Sequence, residues 1–205
     1  LVMLGDSMVA DFASNDYRFA GWGQGIYSNM MSNVRVANLS EPYQSTLTFL
    51  YSIQKDNLLA IQPDFVLIQF GWVDAGPTLG FHTDIADYEA NLKTIVQMIR
   101  DFKGTPILVT PPNPRWFDLT GKIIPAMQIR TDVVRNVAAE MQTYLIDLDQ
   151  LLTNLYNELG PSESIAEIAS NPDDGAHFSP QGADIIARLV VDAFPGILRS
   201  QVLRH

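Results

Sequence analysis

The sequence predicts an α/β protein with a five-stranded, parallel, doubly wound sheet between two layers of helices. Short apolar runs, clearest at 1–4 and 65–70, lack polar–apolar alternation, as is typical of parallel strands buried on both faces. Segments with helical periodicity separate these runs, and a parallel sheet needs such crossover connections. At 205 residues the chain is long enough for one domain with a complete core. We therefore predict a single three-layer α/β/α domain that spans residues 1–205.

Five segments have the composition of strands. The first, 1–4, has no lead-in, so we expect the natural protein to begin earlier and this strand to be incomplete here. A signal peptide in that preceding segment would make the protein secreted or periplasmic. Pro111, Pro112 and Pro114 end the fourth strand, because proline cannot donate to a sheet ladder. The other predicted strands are 34–39, 65–70, 107–110 and 144–147.

The clearest helix is predicted at 84–102. Its apolar residues share one face at helical spacing: Ile85, Tyr88, Leu92, Ile95, Val96 and Ile99. Ser45 is a suitable N-cap for a helix over 45–60, and Ser179 followed by Pro180 is typical of a helix start. We also predict a short helix through Ile26, Met30 and Met31, a helix through Val133, Val134 and Met141, and a helix that ends near Gly160.

Several loops of chemical interest follow strand ends. In an open parallel sheet, the loops that leave the carboxyl ends of the strands share one edge, and ligands bind in the crevice there. Ser7 follows the first strand directly, before a glycine-containing segment, 11–25, that is predicted to be rich in turns. The other loops expected at the same edge are 41–44, 72–76 and 113–118.

Charge and composition exclude several classes of partner. The formal net charge is −10, whereas nucleic acids and anionic membrane surfaces require cationic faces. No apolar run approaches the length of a membrane span, so we expect no membrane insertion. The absence of cysteine excludes disulfides, a thiol nucleophile and a thiolate metal site. A small-molecule or glycan substrate, without a cofactor, is the easier fit; the sequence predicts no particular oligomeric state.

Ser7 is the candidate nucleophile. A serine hydroxyl attacks at neutral pH only with a base close by and a group that orients this base. His177 is the candidate base, since Asp174 lies three positions before it and can accept from Nδ1, which leaves Nε2 for Ser7. Asp173 is the competing orienting residue. In a second interpretation, both aspartates belong to an ordinary loop and His177 only anchors the last helix.

Five short motifs follow one another along nearly the whole chain: Gly5-Asp-Ser-Met-Val-Ala-Asp-Phe12, Gly21-Trp-Gly-Gln24, Ile68-Gln-Phe-Gly71 with Asp74, Thr110-Pro111 with Arg115 and Phe117-Asp118, and Asp173-Asp-Gly-Ala-His-Phe178. In this order they resemble the SGNH, or GDSL, hydrolase superfamily, and the rhamnogalacturonan acetylesterase-like members within it. The resemblance implies the SGNH hydrolase fold, with its flavodoxin-like sheet, and ester hydrolysis. It also implies a triad of Ser7, His177 and Asp174, with Asp174 rather than Asp173 at the motif position.

The chain departs from this family at the oxyanion hole. The family builds the hole from the backbone N–H of the serine, here Ser7, the N–H of a glycine, and the amide of an asparagine in a Gly-x-Asn-Asp motif. Tyr43, or a near neighbour, occupies the glycine position, and Val73 occupies the asparagine position. Tyr43 retains a backbone N–H, whereas the side chain of Val73 has no donor. The amide of Gln44 and the indole N–H of Trp72 are two candidate replacements.

Other residues of the same edge are candidates for substrate binding. Aromatic side chains can stack on sugar rings, although buried packing explains them almost as well. Those in the edge loops are Trp22, Trp72 and Trp116. Arg115 can pair with a uronate carboxylate or with Asp118. We predict substrate contacts for Trp22, Trp72, Asp74 and Arg115.

We predict no metal site. His82, Asp84 and Asp87 come closest to a metal-ligand pattern, but Asp84 stands before the long predicted helix, where a carboxylate caps the first turn and complements the helix dipole. Asp147 and Asp149 are interpreted similarly, as carboxylates at a helix start.

Two classes of function are compatible with these residues. The first is a serine esterase that removes short acyl groups, acetyl foremost, from a carbohydrate through an acyl-enzyme. Here the carbohydrate rests on the resemblance alone, and a lipid or thioester substrate, which would need a long apolar groove, is the alternative. The second class is a non-catalytic binding or structural descendant of the fold, which the changes at Val73 and Tyr43 favour.

Overall fold

The computed structural model describes residues 1–12, 18–78 and 80–203. These residues form one sheet of five parallel strands: β1 Val2–Gly5, β2 Ala37–Asn38, β3 Phe65–Gln69, β4 Thr105–Val109 and β5 Tyr144–Ile146. The strand order is β2-β1-β3-β4-β5. The prediction of a doubly wound, flavodoxin-like parallel sheet is therefore confirmed.

Helices cover both faces of this sheet. In the described part of the chain they are α1 Trp22–Ile26, α2 Thr46–Leu50, α3 Ile53–Ile61, α4 Trp72–Ala75, α5 Ile85–Asp101, α6 Gln128–Glu140, α7 Leu148–Ile168, α8 Pro180–Asp192 and α9 Gly196–Val202. None of them is long and apolar enough to cross a membrane.

Alternate residues of β1 enter two separate cores. Met3 packs in the core that holds α1, α7, α8 and α9, whereas Val2 and Leu4 pack in the core that holds α5 and α6. Successive side chains of a strand point to opposite faces, so an apolar run without alternation fills both layers. This burial fixes β1 at the middle of the molecule, with Ser7 at its carboxyl end.

Three predicted helix caps are confirmed. The side chain of Ser45 accepts from Thr48 N at the start of α2, and Asp84 accepts from Asp87 N at the start of α5. Ser179 accepts from Gly182 N at the start of α8, where Pro180 is the first helical residue. Each cap satisfies a backbone donor that has no partner within its helix.

Three predicted helices differ from the observed ones. The short helix expected through Ile26, Met30 and Met31 ends at Ile26, and one 3-10 turn, Tyr27–Asn29, follows it. The helix expected over 45–60 breaks into α2 and α3, because Ser52 caps a new start with its side chain accepting from Lys55 N. The helix expected to end near Gly160 resumes after a kink at this residue (φ 73°, ψ 178°) and continues to Ile168. Pro161 follows at the start of the second part, where its missing N–H costs no hydrogen bond.

The segment predicted to be rich in turns contains α1. Its glycines permit close packing here, since a Cβ on Gly23 would collide with Val9 O and one on Gly25 would lie 2.7 Å from the Cβ of Ala187. Close approach therefore explains these glycines, and α1 packs directly on α8.

The predicted loop at 72–76 is also partly helical. Gly71 has φ 143°, a conformation that other residues rarely adopt, and a Cβ there would lie 2.8 Å from Pro111 Cγ. This residue turns the chain from the end of β3 into α4. As a result, Trp72 and Val73 stand in the first turn of a short helix at the carboxyl edge.

Candidate active site

Ser7 and His177 meet at the carboxyl edge of the sheet. The Oγ of Ser7 lies 3.0 Å from Nε2 of His177, although 170 positions separate the two residues in the chain. Ser7 stands in a tight turn after β1, in which the N–H groups of Val9 and Ala10 both donate to Asp6 O at 3.0 Å. The other nitrogen of the imidazole, Nδ1, lies 2.9 Å from Asp174 Oδ2. The three residues thus form one continuous hydrogen-bonded chain.

The carboxylate of Asp174 is held firmly. Its Oδ1 accepts from the N–H groups of Ala176 at 2.8 Å and His177 at 2.9 Å, and its Oδ2 accepts from Ser170 Oγ at 3.1 Å. Burial favours a higher pKa for Asp174, but these amides and the imidazole outweigh it, so the pKa lies below its ordinary value. Asp174 is therefore ionised at neutral pH. The competing residue, Asp173, is exposed and its N–H donates to Asn171 instead.

Phe19 contacts His177 and was missed by sequence reasoning. Its ring meets the imidazole edge-on, with the centroids 5.6 Å apart and the planes at 82°. Phe19 lies in the segment predicted to be rich in turns, and a phenylalanine there gives no sequence signal for a contact with His177. The ring limits the positions open to the imidazole on that side.

Asp6 is a second residue that sequence reasoning missed. It is fully buried directly before the candidate nucleophile, with Oδ1 accepting from Met8 N at 3.0 Å. Burial raises the pKa of Asp6 to about 7, and the nearby charge of Asp74 adds to the effect. The amides of Trp72 and Val73 oppose it. Asp6 therefore lies between the turn of Ser7 and the first turn of α4, and its Oδ2 has no hydrogen-bond partner in the described residues.

The structure corrects two of the predicted substrate contacts. Trp22 is fully buried, and its indole N–H donates to Gln69 Oε1 at 2.8 Å. Asp74 is fully buried as well, and its carboxylate accepts from the hydroxyls of Thr46 at 2.5 Å and Thr83 at 2.8 Å. A side chain without exposed surface cannot touch a substrate. Asp74 instead ties the start of α2 to α4.

Arg115 also departs from its predicted role. It is 6% exposed, and its guanidinium donates to the carbonyl oxygens of Asp174 and His177. Among the described residues it forms no salt bridge with Asp118, whose carboxylate accepts from Thr120 and Lys122. A uronate cannot reach the buried guanidinium, so the predicted pairing with a substrate carboxylate is corrected.

The loop of Tyr43 lies beside the end of β1. Glu41 N donates to Gly5 O at 3.1 Å, which brings this loop within two residues of Ser7. Tyr43 has φ 64°, the left-handed conformation that favours glycine, and its side chain is 77% exposed. Within the described residues, the N–H groups of Ser7 and Tyr43 have no acceptor. The backbone of Tyr43 thus adopts a conformation that is typical of glycine.

Of the two replacement donors considered, one is excluded. The indole N–H of Trp72 donates to Pro112 O at 2.9 Å and is therefore occupied, although part of its ring is exposed. The side chain of Gln44 is buried, and its Oε1 has no hydrogen-bond partner. Val73 is partly exposed on α4 and has no donor. Gln44 remains the candidate replacement donor.

The residues closest to a metal-ligand pattern, His82 and Asp84, have other hydrogen-bond partners. Nδ1 of His82 lies 3.0 Å from Gly76 O, and Asp84 caps α5. No group of three or more His, Cys, Asp or Glu residues in the described ranges could hold a metal ion.

Comparison with known proteins places the chain in a family. The profile of the GDSL-like lipase/acylhydrolase family matches residues 3–185. The chain belongs to this family. It is thus a carboxylic ester hydrolase of the GDSL, or SGNH, type.

Two relatives from Bacillus subtilis are similar over nearly the whole chain. Rhamnogalacturonan acetylesterase RhgT is 31% identical over 208 residues, which cover 93% of this chain and 87% of RhgT. The esterase YxiM is 27% identical over 194 residues, which cover 91% of this chain and 49% of YxiM. The crystal structure of YxiM superimposes with a TM-score of 0.85 over 97% of this chain and 56% of that structure. The chain therefore spans about half the length of YxiM.

An acetylxylan esterase from Geobacillus stearothermophilus shares the fold. Its structure superimposes with a TM-score of 0.66 at 21% identity, over 94% of this chain and 92% of that one.

The buried Asp6 gives this GDSL hydrolase a testable pH dependence. Because the pKa of Asp6 is about 7 in the folded chain and 3.8 ordinarily, its contribution to the free energy of unfolding decreases as pH rises from about 4 to 7. The loss amounts to at most about 4 kcal/mol. Asp6→Asn cannot ionise, so relative to this variant the wild type is expected to lose stability over that range and to change little above pH 7. Urea unfolding of both proteins at pH 5, 6, 7 and 8 measures this; a difference that does not vary with pH contradicts it.

Proposed function

We propose that the chain hydrolyses short-chain esters, acetyl esters of a carbohydrate foremost, with Ser7 as the nucleophile. The observation that carries the proposal is the hydrogen-bonded chain from Ser7 Oγ through both nitrogens of His177 to Asp174, with distances of 3.0 and 2.9 Å. The polar groups of a serine esterase need this order, since the base must contact both the nucleophile and its orienting carboxylate.

The first half-reaction forms an acyl-enzyme. Ser7 Oγ attacks the ester carbonyl carbon while Nε2 of His177 accepts the hydroxyl proton. The negative oxygen of the tetrahedral intermediate is stabilised by the backbone N–H groups of Ser7 and Tyr43, which have no acceptor in the described residues. Nε2 then donates the same proton to the alcohol oxygen as the ester C–O bond breaks. The products of this step are acyl-Ser7 and the free alcohol.

The second half-reaction reverses these roles with water. His177 accepts a proton from water, the hydroxide attacks acyl-Ser7, and the carboxylic acid leaves as Ser7 Oγ regains its proton. In both steps His177 is transiently positive. The lowered pKa of Asp174 keeps its carboxylate ionised, so that it stabilises the imidazolium without taking its proton.

The preference for acetyl is supported by a relative. RhgT is a rhamnogalacturonan acetylesterase and is 31% identical over 93% of this chain. The test compares p-nitrophenyl acetate, butyrate and octanoate, with acetylated xylan and rhamnogalacturonan oligosaccharides as second substrates and Ser7→Ala as the background. We expect kcat/KM to decrease as the acyl chain lengthens, and acetate to be released from at least one oligosaccharide. A higher kcat/KM for octanoate than for acetate contradicts the proposal and favours a lipolytic enzyme.

The carbohydrate part of the proposal is supported by the position of Trp116. This side chain is 53% exposed, and it lies against Gly175, in the turn between Asp174 and His177. A Cβ on Gly175 would lie 2.5 Å from the indole nitrogen, so only glycine permits this contact. The alcohol leaves on the side of His177, because Nε2 must reach its oxygen. Trp116 is therefore an exposed aromatic side chain on the side where the sugar ring would lie.

Trp116→Ala is expected to weaken binding of sugar esters selectively. Loss of this aromatic contact should raise KM for an acetylated oligosaccharide about fivefold, which corresponds to about 1 kcal/mol. Hydrolysis of p-nitrophenyl acetate, which has no sugar ring, should stay within about twofold. Steady-state kinetics on both substrates measures the effect. Tyr144→Ala is the matched control, since Tyr144 is a 43% exposed aromatic residue at the amino end of β5, on the opposite edge. Equal changes on both substrates, or an unchanged KM for the oligosaccharide, contradict the assignment.

A further inference from the structure

Arg115 is a buried cation directly beneath the loop that carries two of the three proposed catalytic residues. We define this catalytic loop as residues 171–178. Nη2 of Arg115 donates to the carbonyl oxygens of Asp174 at 2.6 Å and His177 at 2.8 Å. Its backbone N–H donates to Gly175 O at 2.8 Å. Three hydrogen bonds thus join the exit loop of β4 to the catalytic loop.

The loop has few other supports at these points. Asp174 O accepts no other hydrogen bond within the described residues, and His177 O has one further donor, Ser170 N at 3.2 Å. Gly175 has no side chain that could anchor the turn. The other hydrogen bonds of Asp174 come from within residues 170–177, with its N–H donating to Asn171 O at 3.2 Å, so Arg115 is the group that holds this turn from outside.

The surroundings of the guanidinium are unfavourable for a residue that serves stability alone. Its Cζ lies 5.9 Å from the ring centroids of both Tyr156 and Phe178, which are buried. No described carboxylate forms a salt bridge with it, and Nε and Nη1 have no hydrogen-bond partner, so the polar side chain beside it is the neutral hydroxyl of Tyr156. Burial of an unpaired cation is costly, and cation–π contacts return only about 0.5–2 kcal/mol. An apolar side chain would fill such a site at lower cost.

We propose that Arg115 is a positioning residue for ester hydrolysis. Its guanidinium fixes the catalytic loop so that Nε2 of His177 stays within hydrogen-bond distance of Ser7 Oγ. The inference rests on the proposed function, because it assigns Arg115 a task in the reaction of Ser7 and His177.

Arginine suits this task better than lysine. One Nη2 carries two N–H groups that reach two carbonyl oxygens at once, and the flat guanidinium packs beside two aromatic rings. A lysine retains the charge, but its compact and strongly hydrated ammonium lacks this planar fork. Arg115→Lys should therefore retain part of the effect, whereas Arg115→Gln should lose it.

The experiment compares Arg115→Gln and Arg115→Lys with Arg100→Gln. Arg100 is the matched control, because its Nη2 also donates to two carbonyl oxygens, those of Met141 at 2.6 Å and Gln142 at 3.3 Å, but at the opposite edge of the sheet. For each protein, kcat and KM for p-nitrophenyl acetate are measured per active site, counted by titration with a fluorophosphonate. Labelling is followed to its end point, so that slow labelling of a variant is not counted as a missing site and the count separates a lower kcat from a smaller folded fraction.

We expect kcat per active site to fall about 10- to 100-fold in Arg115→Gln with KM nearly unchanged, since misplacement by about 1 Å can cost a hundredfold. Arg115→Lys should lie between this variant and the wild type, and Arg100→Gln should retain the wild-type kcat. If Arg115→Gln fails to fold, Arg115→Lys is compared with the wild type alone. A wild-type kcat per active site in the folded variant overturns the inference.

A second measurement is independent of activity. Hydrogen exchange of the His177 Nδ1–H, followed by NMR, should be slow in the wild type and Arg100→Gln and faster in Arg115→Gln. If the wild type hydrolyses no ester, the proposed function fails while this readout still reports on the loop. Equal exchange in the wild type and Arg115→Gln overturns the role assigned to Arg115.

Discussion

Ser7→Ala is expected to abolish ester hydrolysis, with kcat for p-nitrophenyl acetate lowered by about 10⁴-fold or more. The reason is that Ser7 Oγ is the hydroxyl bonded to Nε2 of His177, and no other described hydroxyl takes that position. Without it no acyl-enzyme forms. Steady-state kinetics measures the loss, and near-UV circular dichroism checks that the variant is folded.

The companion variants test whether the residues act as one unit. His177→Ala should lower kcat by a similar factor, and the double variant Ser7→Ala/His177→Ala should fall little further, because groups that act in one step are not additive. Activity of Ser7→Ala within tenfold of the wild type would place the nucleophile elsewhere. Additive losses in the double variant would mean that His177 does not act through Ser7.

Val73→Asn is expected to raise kcat, by up to about 100-fold. One oxyanion donor is typically worth about 10²- to 10³-fold in turnover. Val73 is partly exposed in the first turn of α4, at the position where the GDSL family has an asparagine amide. The new amide would add a third donor to the N–H groups of Ser7 and Tyr43. The gain should appear in kcat rather than in KM, since the charge develops only in the transition state.

Val73→Asp is the matched control for this gain. It has nearly the shape of asparagine, but its carboxylate repels the oxyanion, so kcat should fall rather than rise. A gain with both variants would point to a change in packing on α4. No change with Val73→Asn would indicate that a third donor is already present, for which the amide of Gln44 is the candidate.

The sequence predicted the fold in most of its detail because the signals are local. Unbroken apolar runs identify strands buried on both faces, and Ser45, Asp84 and Ser179 identify helix starts through one hydrogen bond each. The breaks were harder to predict. The new helix start at Ser52 depends on one cap, which typically contributes about 1 kcal/mol, and composition alone does not show that the cap forms.

Sequence reasoning located the candidate site but misjudged several side-chain directions. A loop position at the carboxyl edge follows from topology, whereas the direction of a side chain depends on partners far away in the chain. Gln69 draws the indole of Trp22 inward, and Thr46 and Thr83 enclose Asp74. The residues that neighbour Trp22 and Asp74 in the sequence give no indication of these partners.

The same limit applies to Asp6 and Arg115, two buried residues next to the candidate triad. Asp6 is part of the Gly-Asp-Ser motif, yet only the structure brings it against α4 and Asp74. Arg115 carries the charge that suits an acidic sugar, yet its guanidinium turns to the backbone of the catalytic loop. For both Asp6 and Arg115, the residue type predicts a polar contact but does not identify the partner.

The most direct test of an activated Ser7 is covalent labelling with a fluorophosphonate, followed by mass spectrometry of the intact protein and its peptides. We expect one adduct, on the peptide that contains Ser7, with no adduct in Ser7→Ala and much slower labelling of His177→Ala. A folded wild-type protein that stays unlabelled would contradict the account and would favour a cleft that binds esters or glycans without catalysis.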